Sequence, residues 1–268
     1  MKKDKNYWAL VTGASGGIGL EIAKQLASRG YNIICASRNL EKLKSVCSDL
    51  EKEYSVKTKP VKSDLSESGA AEKLFAEAVK AGEVDILVNN AGAAVFGLCE
   101  DLKAAEVEAM LNLNMTSLTL LCNSFAGYMK KRGSGYILNV GSMVAYWPEP
   151  YLASYAASKS YVLSFSAALR SELRGSGVSV TCVQPGFVRT SFDDNAKITS
   201  GKYLEFSSRN ALSPERVARI GLRMMFRKRL SGITGVINNI AAFFNRMMSK
   251  RIQAHIIKST ISRLTGDN

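Results

Sequence analysis

The segment SYAASKS, residues 154–160, carries a phenol and an ammonium group one helical turn apart. In a helix, Tyr155 and Lys159 occupy positions i and i+4 and project from the same face. A free phenol has a pKa of about 10 and is a poor base near pH 7, but a neighbouring ammonium group stabilises the phenolate and lowers that pKa. The pair therefore fits an acid–base function. The alternative is a surface helix that contains both residues by chance.

A serine hydroxyl precedes this pair. Ser142 directly follows the apolar run YILNVG, residues 136–141, which predicts a strand. In an open sheet of parallel strands, the carboxyl ends of the strands line the ligand crevice. Ser142 and the helix of Tyr155 can therefore converge on one substrate.

A glycine-rich segment lies near the start of the chain. TGASGGIG, residues 12–19, follows a predicted strand and opens a helix. Gly13, Gly17 and Gly19 permit positive φ angles and a close approach of the backbone to a ligand. The free N–H groups and the dipole at the start of the helix attract a pyrophosphate. The segment predicts a dinucleotide site, with a turn that binds no ligand as the alternative.

The end of the second predicted strand bears on which dinucleotide binds. An acid there would accept a hydrogen bond from the 2′-hydroxyl of the adenosine ribose, whereas Arg accommodates a 2′-phosphate. The sequence has Ser37 followed by Arg38, which favours NADP(H) over NAD(H). An ordinary exposed Arg at the start of a helix is the alternative.

Short apolar runs alternate with amphipathic segments along most of the chain. This alternation predicts a single α/β domain, in which a doubly wound parallel sheet of the Rossmann type lies between two helical layers. The predicted strands cover residues 7–13, 32–37, 84–89, 136–141 and 178–184, with a weaker strand at 57–64 that contains Pro60. The predicted helices cover residues 18–29, 39–53, 68–81, 104–131 and 155–174, and two basic amphipathic segments follow at 215–229 and 239–263.

The composition argues against several kinds of site. Five Cys without C-x-x-C spacing and a single His disfavour a disulfide scaffold, a transition-metal site and a Ser-His-Asp triad. No metal is predicted. No apolar stretch reaches the roughly 18–20 residues of a membrane span, and no signal-peptide pattern is seen. These features favour a reduced, cytoplasmic protein.

The formal charge of +13 is concentrated near the carboxyl end. Residues 214–268 contain eleven Lys or Arg and two acids, a balance of +9. Because the charge is local and no platform of aromatic and basic residues appears, nucleic-acid binding is not predicted.

Taken together and in order, these motifs resemble the classical short-chain dehydrogenases/reductases over residues 7 to about 190. The resemblance rests on TGASGGIG, NNAG at 89–92, Asn114, Ser142, YAASK at 155–159 and PGFVRT at 185–190. It implies that Tyr155 donates the proton when a hydride reduces a ketone, and that Ser142 orients the carbonyl oxygen. It also implies that Lys159 tunes Tyr155 and binds the nicotinamide ribose, and that Asn114, with Asn112 as a nearby competitor, holds a water in a proton relay.

The resemblance further implies a set of cofactor contacts. Asp64 and Leu65 should meet the adenine, although Asp64 could also cap a helix. Residues 90–92 should pass behind the adenosine ribose, and residues 185–190 should wall the nicotinamide. The full predicted NADP(H) set is Gly13, Ser15, Gly17, Ile18, Gly19, Ser37, Arg38, Asp64, Leu65, Asn90, Ala91, Gly92, Tyr155, Lys159, Pro185, Gly186, Val188 and Thr190.

The resemblance weakens near the carboxyl end. Family members often finish with a seventh strand and a glycine-rich tail that builds a tetramer interface. ITGVINNIAAFF, residues 233–244, keeps the strand-like beginning without the glycine-rich end, so a homo-oligomer is expected as either a dimer or a tetramer. We assign residues 1–238 to the catalytic domain, 187–213 within it to a substrate lid, and 239–268 to a basic helical extension.

Apolar side chains recur at helical spacing in the extension, with basic residues between them. Three interpretations stay open: the apolar side packs on the domain or on a dimer partner, it lies on an anionic membrane surface, or it borders the substrate entrance and attracts an acidic carrier. The apolar residues are Ile240, Phe243, Phe244, Met247, Met248, Ile252 and Ile256.

Two functions fit the whole pattern. The first is an NADPH-dependent carbonyl reductase, or the reverse alcohol dehydrogenase, acting on an apolar substrate of fatty-acyl or lipid-like type. YWPEPYL, residues 146–152, would then line the pocket with aromatic and Pro side chains. The second is an NADP(H)-sensing protein that uses the fold without chemistry. A complete Ser, Tyr and Lys set favours the enzyme, because a sensor has no use for a tuned phenol.

Overall fold

The structure is a computed structural model that describes residues 7–190, 192, 196, 198 and 200–265. Residues 191, 193–195, 197 and 199 of the predicted lid, residues 266–268 of the predicted extension and residues 1–6 lie outside the described residues.

Seven parallel strands form one sheet in the order β3-β2-β1-β4-β5-β6-β7. The order reverses between β1 and β4, which is the arrangement of a doubly wound sheet and confirms the predicted fold. The strands are β1 Tyr7–Thr12, β2 Asn32–Ser37, β3 Thr58–Lys62, β4 Glu83–Asn89, β5 Gly135–Val140, β6 Val178–Gln184 and β7 Ser231–Ile233.

Ten helices are found in the described residues. They are α1 Gly17–Ala27, α2 Leu40–Tyr54, α3 Ala70–Ala81, α4 Ala104–Leu111, α5 Leu118–Arg132, α6 Ala153–Glu172, α7 Gly201–Asn210, α8 Pro214–Phe226, α9 Val236–Arg246 and α10 Lys250–Thr265. A π-helical turn, Asn112–Ser117, joins α4 to α5, and a short 3-10 helix, Met143–Tyr146, follows β5.

The core lies on both faces of the sheet because neighbouring strand residues point to opposite sides. Leu10 and Ile34 pack with residues of α3, α5 and α6. Their neighbours Val11 and Ile33 pack with residues of α1, α2 and α8. The result is the predicted three-layer arrangement, with the carboxyl ends of the strands gathered at one edge.

Pro60 lies in the edge strand β3, where it pairs with Cys35 of β2. An edge strand tolerates Pro because the missing N–H group would face away from the sheet. The weak strand signal around this residue thus corresponds to a real but short strand.

The predicted lid contains a helix that the sequence pattern did not indicate. Helix α7 begins after Ser200, whose hydroxyl accepts a hydrogen bond from the N–H group of Tyr203. Its buried side chains, Tyr203 and Ser207, are one turn apart. This single buried pair gives too weak a period to stand out in a polar segment.

The extension forms two helices rather than one. Helix α9 ends at Arg246, and α10 starts after Ser249, whose hydroxyl accepts a hydrogen bond from the N–H group of Ile252 at 3.4 Å. The Gln253 side chain closes the turn between them by donating to the carbonyl of Met248 at 3.1 Å. The predicted boundary between the catalytic domain and the extension, at residues 238/239, falls inside α9.

Across the described residues, none of the helices combines the length and hydropathy needed to cross a bilayer.

Candidate active site

The turn between β1 and α1 depends on positive φ angles and on close packing of its own backbone. Gly13 and Gly17 have φ angles of +66° and +54°, which favour Gly. The N–H group of Gly13 donates to the carbonyl of Ala36 at 2.8 Å and anchors the turn to β2. A Cβ atom on Gly19 would lie 2.3 Å from the carbonyl oxygen of Gly13, so this position excludes any side chain. Helix α1 therefore presents its first N–H groups to the crevice.

Ser37 ends β2 with a polar atom that lacks a protein partner. Among the described residues, its hydroxyl oxygen is buried and makes no hydrogen bond, which is costly unless a ligand completes the site. Arg38, the next residue, is exposed. Partial burial opposes ionisation of Asp64, but hydrogen bonds from Ser66 and the charge of Arg38 outweigh it and lower the Asp64 pKa. The guanidinium of Arg38 therefore lies within electrostatic reach of the end of β3.

The end of β4 is tied to β1 by a residue that sequence reasoning missed. The Thr12 hydroxyl accepts hydrogen bonds from the N–H groups of Asn90 and Ala91, both at 2.9 Å, and donates to the carbonyl of Val88 at 3.2 Å. The Asn90 amide donates back to the carbonyl of Thr12 at 2.9 Å. Thr12 is the first residue of the glycine-rich segment TGASGGIG, and its place in that segment is the sequence signal that could have identified it as a site residue.

Tyr155 and Lys159 lie on α6, facing the interior. They are 7% and 5% exposed, and the Lys159 Nζ atom lies 5.7 Å from the centroid of the Tyr155 ring. Lys159 donates to the carbonyl of Val140 at 3.2 Å, which attaches it to the end of β5. Burial lowers the Lys159 pKa from 10.5 to about 8. The pair therefore lies in the interior of the protein and not on a surface helix.

Ser142 follows β5 at the same edge and is 9% exposed. Its hydroxyl accepts a hydrogen bond from the N–H group of Val144 at 3.4 Å, as the cap of the 3-10 helix. The following N–H group, that of Met143, donates to the carbonyl of Pro185 at 2.8 Å. The Ser142 loop is thus fixed to the segment after β6.

Asn114 lies in the π-helical turn and is 1% exposed. Its carbonyl oxygen accepts a hydrogen bond from the N–H group of Ala93 at 3.0 Å, while its amide donates to the Ala93 carbonyl at 2.9 Å and to the Ser158 hydroxyl at 3.0 Å. A Cβ atom on Gly92 would be 3.2 Å from Asn114 Oδ1 and 3.3 Å from Lys159 Nζ, so both side chains border this glycine. Asn112 instead contacts Thr116. Ser158, a second residue that sequence reasoning missed, links Asn114 to α6.

The segment after β6 closes over the glycine-rich turn. A Cβ atom on Gly17 would lie 3.1 Å from Cγ2 of Thr190, so Thr190 covers the turn. Val188 pairs with Leu212 through an isolated bridge. A Cβ atom on Gly186 would come within 2.3 Å of the Asn238 side chain, so the first turn of α9 packs closely on this glycine.

The remaining predicted cofactor contacts, Ser15, Ile18 and Leu65, differ in how far their side chains are buried in the core. Ser15 is half-buried in the glycine-rich turn. The side chains of Ile18 and Leu65 pack into the hydrophobic core, one on each face of the sheet. These two residues can therefore offer a cofactor mainly their backbone groups.

The residues at this edge fit a phosphorylated dinucleotide. The glycine-rich turn can hold a pyrophosphate, and the partnerless Ser37 hydroxyl beside Arg38 can hold a further phosphate. At the other end, Lys159 has two N–H groups beyond its bond to Val140 for ribose hydroxyls. Lys159 is attached to the end of β5 through the carbonyl of Val140, two residues before Ser142, and Tyr155 lies beside Lys159.

Comparison with known proteins places the chain in a family. Residues 7–200 match the family model described as short chain dehydrogenase. The chain is 35% identical over 189 residues to the very-long-chain 3-oxoacyl-CoA reductase of Scheffersomyces stipitis, a match that covers 67% of this chain and 55% of the relative. It is 37% identical over 191 residues to the inactive hydroxysteroid dehydrogenase-like protein 1 of Homo sapiens, covering 70% and 58%.

These matches thus span little more than half the length of either relative. A solved short-chain dehydrogenase from Sphingobium yanoikuyae in complex with NADPH superposes with a TM-score of 0.81 at 27% identity, covering 97% of this chain and 95% of that one. With the family model matched over most of the sheet and the predicted motifs at its carboxyl edge, the chain belongs to the classical short-chain dehydrogenases/reductases.

Proposed function

We propose that this protein is an NADPH-dependent reductase of ketones in long apolar molecules, of which a fatty 3-oxoacyl thioester is the best candidate. The observation that carries the proposal is the buried Tyr155–Lys159 pair, which is attached through Lys159 to the carbonyl of Val140 at the end of β5, two residues before Ser142. The name of the Scheffersomyces stipitis relative supports the fatty 3-oxoacyl class. The NADPH complex of the Sphingobium yanoikuyae structure supports the cofactor.

When bound, the dinucleotide supplies the hydride. Ser142 would donate a hydrogen bond to the ketone oxygen and orient it, and Tyr155 would transfer its phenolic proton as negative charge develops on that oxygen. The ammonium of Lys159 favours this transfer because it stabilises the phenolate that remains. Asn114 would hold the loop of Ala93 against α6, next to Lys159, through its two hydrogen bonds to Ala93 and its hydrogen bond to Ser158.

An aromatic cluster next to Tyr155 supports an apolar substrate. The ring of Phe192 lies 5.5 Å from that of Tyr155, and Phe96 contacts Tyr151 and Tyr203 at 5.7 and 5.9 Å between centroids. Phe96 lies in the loop after β4, whereas the other rings come from the predicted pocket segment 146–152 and from the predicted lid, residues 187–213. A wall of this composition favours an acyl chain or a steroid over a sugar.

A ketone series tests the function. We expect purified protein to oxidise NADPH with 3-oxoacyl-CoA substrates, and kcat/KM to rise with acyl length because each buried methylene adds about 0.8 kcal/mol of transfer free energy. The measurement is the loss of NADPH absorbance. NADPH binding without turnover of any ketone would instead support the NADP(H)-sensing alternative, for which the name of the inactive human relative is the one argument.

Cofactor choice is predicted to depend on the end of β2. The double change Ser37→Asp with Arg38→Leu should shift the ratio of kcat/KM for NADPH and NADH toward NADH by roughly 100-fold, because it removes a charge-assisted contact and adds a like charge next to the 2′-phosphate. Lys44→Leu removes an exposed charge from α2 and serves as the matched control. An unchanged ratio in the double variant would remove these two residues from cofactor selection.

A further inference from the structure

The extension carries most of the large hydrophobic side chains that are exposed among the described residues. Of ten large hydrophobic side chains exposed among the described residues, six lie on α9, α10 and the turn between them. On α9 and this turn they recur at i, i+3, i+4 and i+7, so they form one stripe. Its members are Ile240, Phe243, Phe244 and Met247, which are 52%, 63%, 61% and 76% exposed.

The same segment is strongly basic. Residues 236–265 contain five Lys or Arg and no Asp or Glu. Lys250, Arg251 and Lys258 are exposed on α10, near the exposed Ile252 and Ile256. A two-fold contact between copies of this chain would bring equal positive charges together, which disfavours a second copy as the occupant of the stripe.

We propose that α9 and α10 dock this protein on the surface of an anionic membrane. The stripe would enter the boundary between headgroups and acyl chains, and the Lys and Arg side chains would pair with lipid phosphates and carboxylates. Exposed aromatic and Met side chains beside basic residues, without an acid in between, are what such an interface requires.

The docking helices also form a wall of the candidate active site. Lys250 Nζ donates to the carbonyl of Tyr146 at 3.0 Å, next to the Ser142 loop. The Ser262 hydroxyl lies 3.1 Å from that of Tyr151, and Leu264 packs in the cluster that contains Tyr155. Docking would therefore bring the substrate entrance to the lipid surface. This delivery of an apolar substrate rests on the proposed function, whereas docking itself does not.

Vesicle sedimentation tests the docking. The full chain should sediment with vesicles of phosphatidylcholine and phosphatidylserine, weakly with phosphatidylcholine alone, and less as salt is raised. The pair Phe243→Ser and Phe244→Ser should weaken the partition coefficient by roughly tenfold or more, because two largely exposed rings no longer insert. The matched control, Tyr161→Ser with Leu230→Ser, removes two exposed apolar side chains elsewhere and should sediment like the unchanged protein.

Three results would overturn the docking proposal. The first is no sedimentation with anionic vesicles at low salt. The second is equal sedimentation of the Phe243/Phe244 variant when its thermal unfolding and NADPH binding match those of the unchanged protein. The third is a dimer that the variant converts to a monomer while neither form binds vesicles, which would assign the stripe to a second copy.

A separate assay distinguishes the two proposals. Turnover of a short, water-soluble 3-oxoacyl thioester without vesicles tests the reductase alone. Vesicle binding without turnover of this thioester or of any longer one in the series leaves docking in place and rejects the reductase. Turnover without vesicle binding does the reverse.

Discussion

Tyr155→Phe should lower kcat by roughly 10²–10⁴-fold while the Kd for NADPH changes no more than a few-fold. The substitution removes only the phenolic hydroxyl, which is the proton donor in the proposed reaction. The ring remains in place because its contacts with Phe192 and with the ammonium of Lys159 do not need the hydroxyl. Steady-state kinetics with a 3-oxoacyl-CoA and fluorescence titration with NADPH provide the two readouts.

Tyr161→Phe is the matched control for this prediction. Tyr161 lies on the same helix, its hydroxyl is 2.8 Å from that of Thr119, and its ring stacks on Phe165. Loss of this peripheral hydroxyl should leave kcat nearly unchanged. If Tyr155→Phe turns over at the rate of the unchanged protein, Tyr155 is not the proton donor and the proposed mechanism is wrong.

The sheet could be predicted from the sequence because its signals are local. Five runs of apolar residues predicted five of the six longer strands to within about two residues at each end, since a strand buried on both faces needs continuous hydrophobicity. The sixth, the edge strand β3, is only partly buried and gave the weaker signal at residues 57–64. The glycine-rich segment was informative for a similar reason. Gly13 and Gly19 are needed for a positive φ and for a close backbone contact that no side chain permits.

Long-range partners could not be predicted in the same way. Thr12 supports Asn90 across 78 residues, and Ser158 supports Asn114 across 44. Nothing in the local pattern around Thr12 or Ser158 indicates such a partner, because these hydrogen bonds depend on which strands and helices become neighbours. Helix α7 was missed for the opposite reason, since its two buried residues give a local signal too weak to recognise.

The tail shows where composition and structure each contribute. Sequence spacing indicated an apolar stripe with basic residues between its members. It left open whether this stripe packs on the domain or a dimer partner, lies on a membrane, or borders the substrate entrance. The structure shows that α10 packs its Ile261 and Gln253 inward while Ile252 and Ile256 remain exposed. One side of the helix therefore covers the domain, and the other stays available to a partner. The interpretation that the whole apolar side packs on the domain does not account for the exposed side chains of α9.

Lys159→Met should make the protein inactive and more stable at pH 7, by up to about 3 kcal/mol. Lys159 is 5% exposed and its pKa falls to about 8 from 10.5 because burial disfavours the charged form. The ligand-free fold therefore bears the cost of desolvating an ammonium that the reaction requires. Methionine has similar length, fills the space and carries no charge.

The stability difference between Lys159→Met and the unchanged protein depends on pH in a defined direction. Below about pH 8 both folded and unfolded chains carry the Lys159 proton, so the cost of burial is complete. Between pH 8 and 10.5 the folded chain has released the proton while the unfolded chain retains it, so the free energy of unfolding contributed by this residue rises with pH. The stability advantage of Lys159→Met should accordingly shrink across this window.

Denaturant unfolding of both proteins at several pH values between 7 and about 10.5 measures that difference. Comparing the two proteins cancels the titration of groups that they share. Lys73→Met, at an exposed position of α3, should show no such trend. A stability difference that is constant over the window would mean that Lys159 is not held with a depressed pKa. Lys159 would then carry its full charge beside Tyr155 at neutral pH, and the ligand-free fold would not bear the cost of desolvating it.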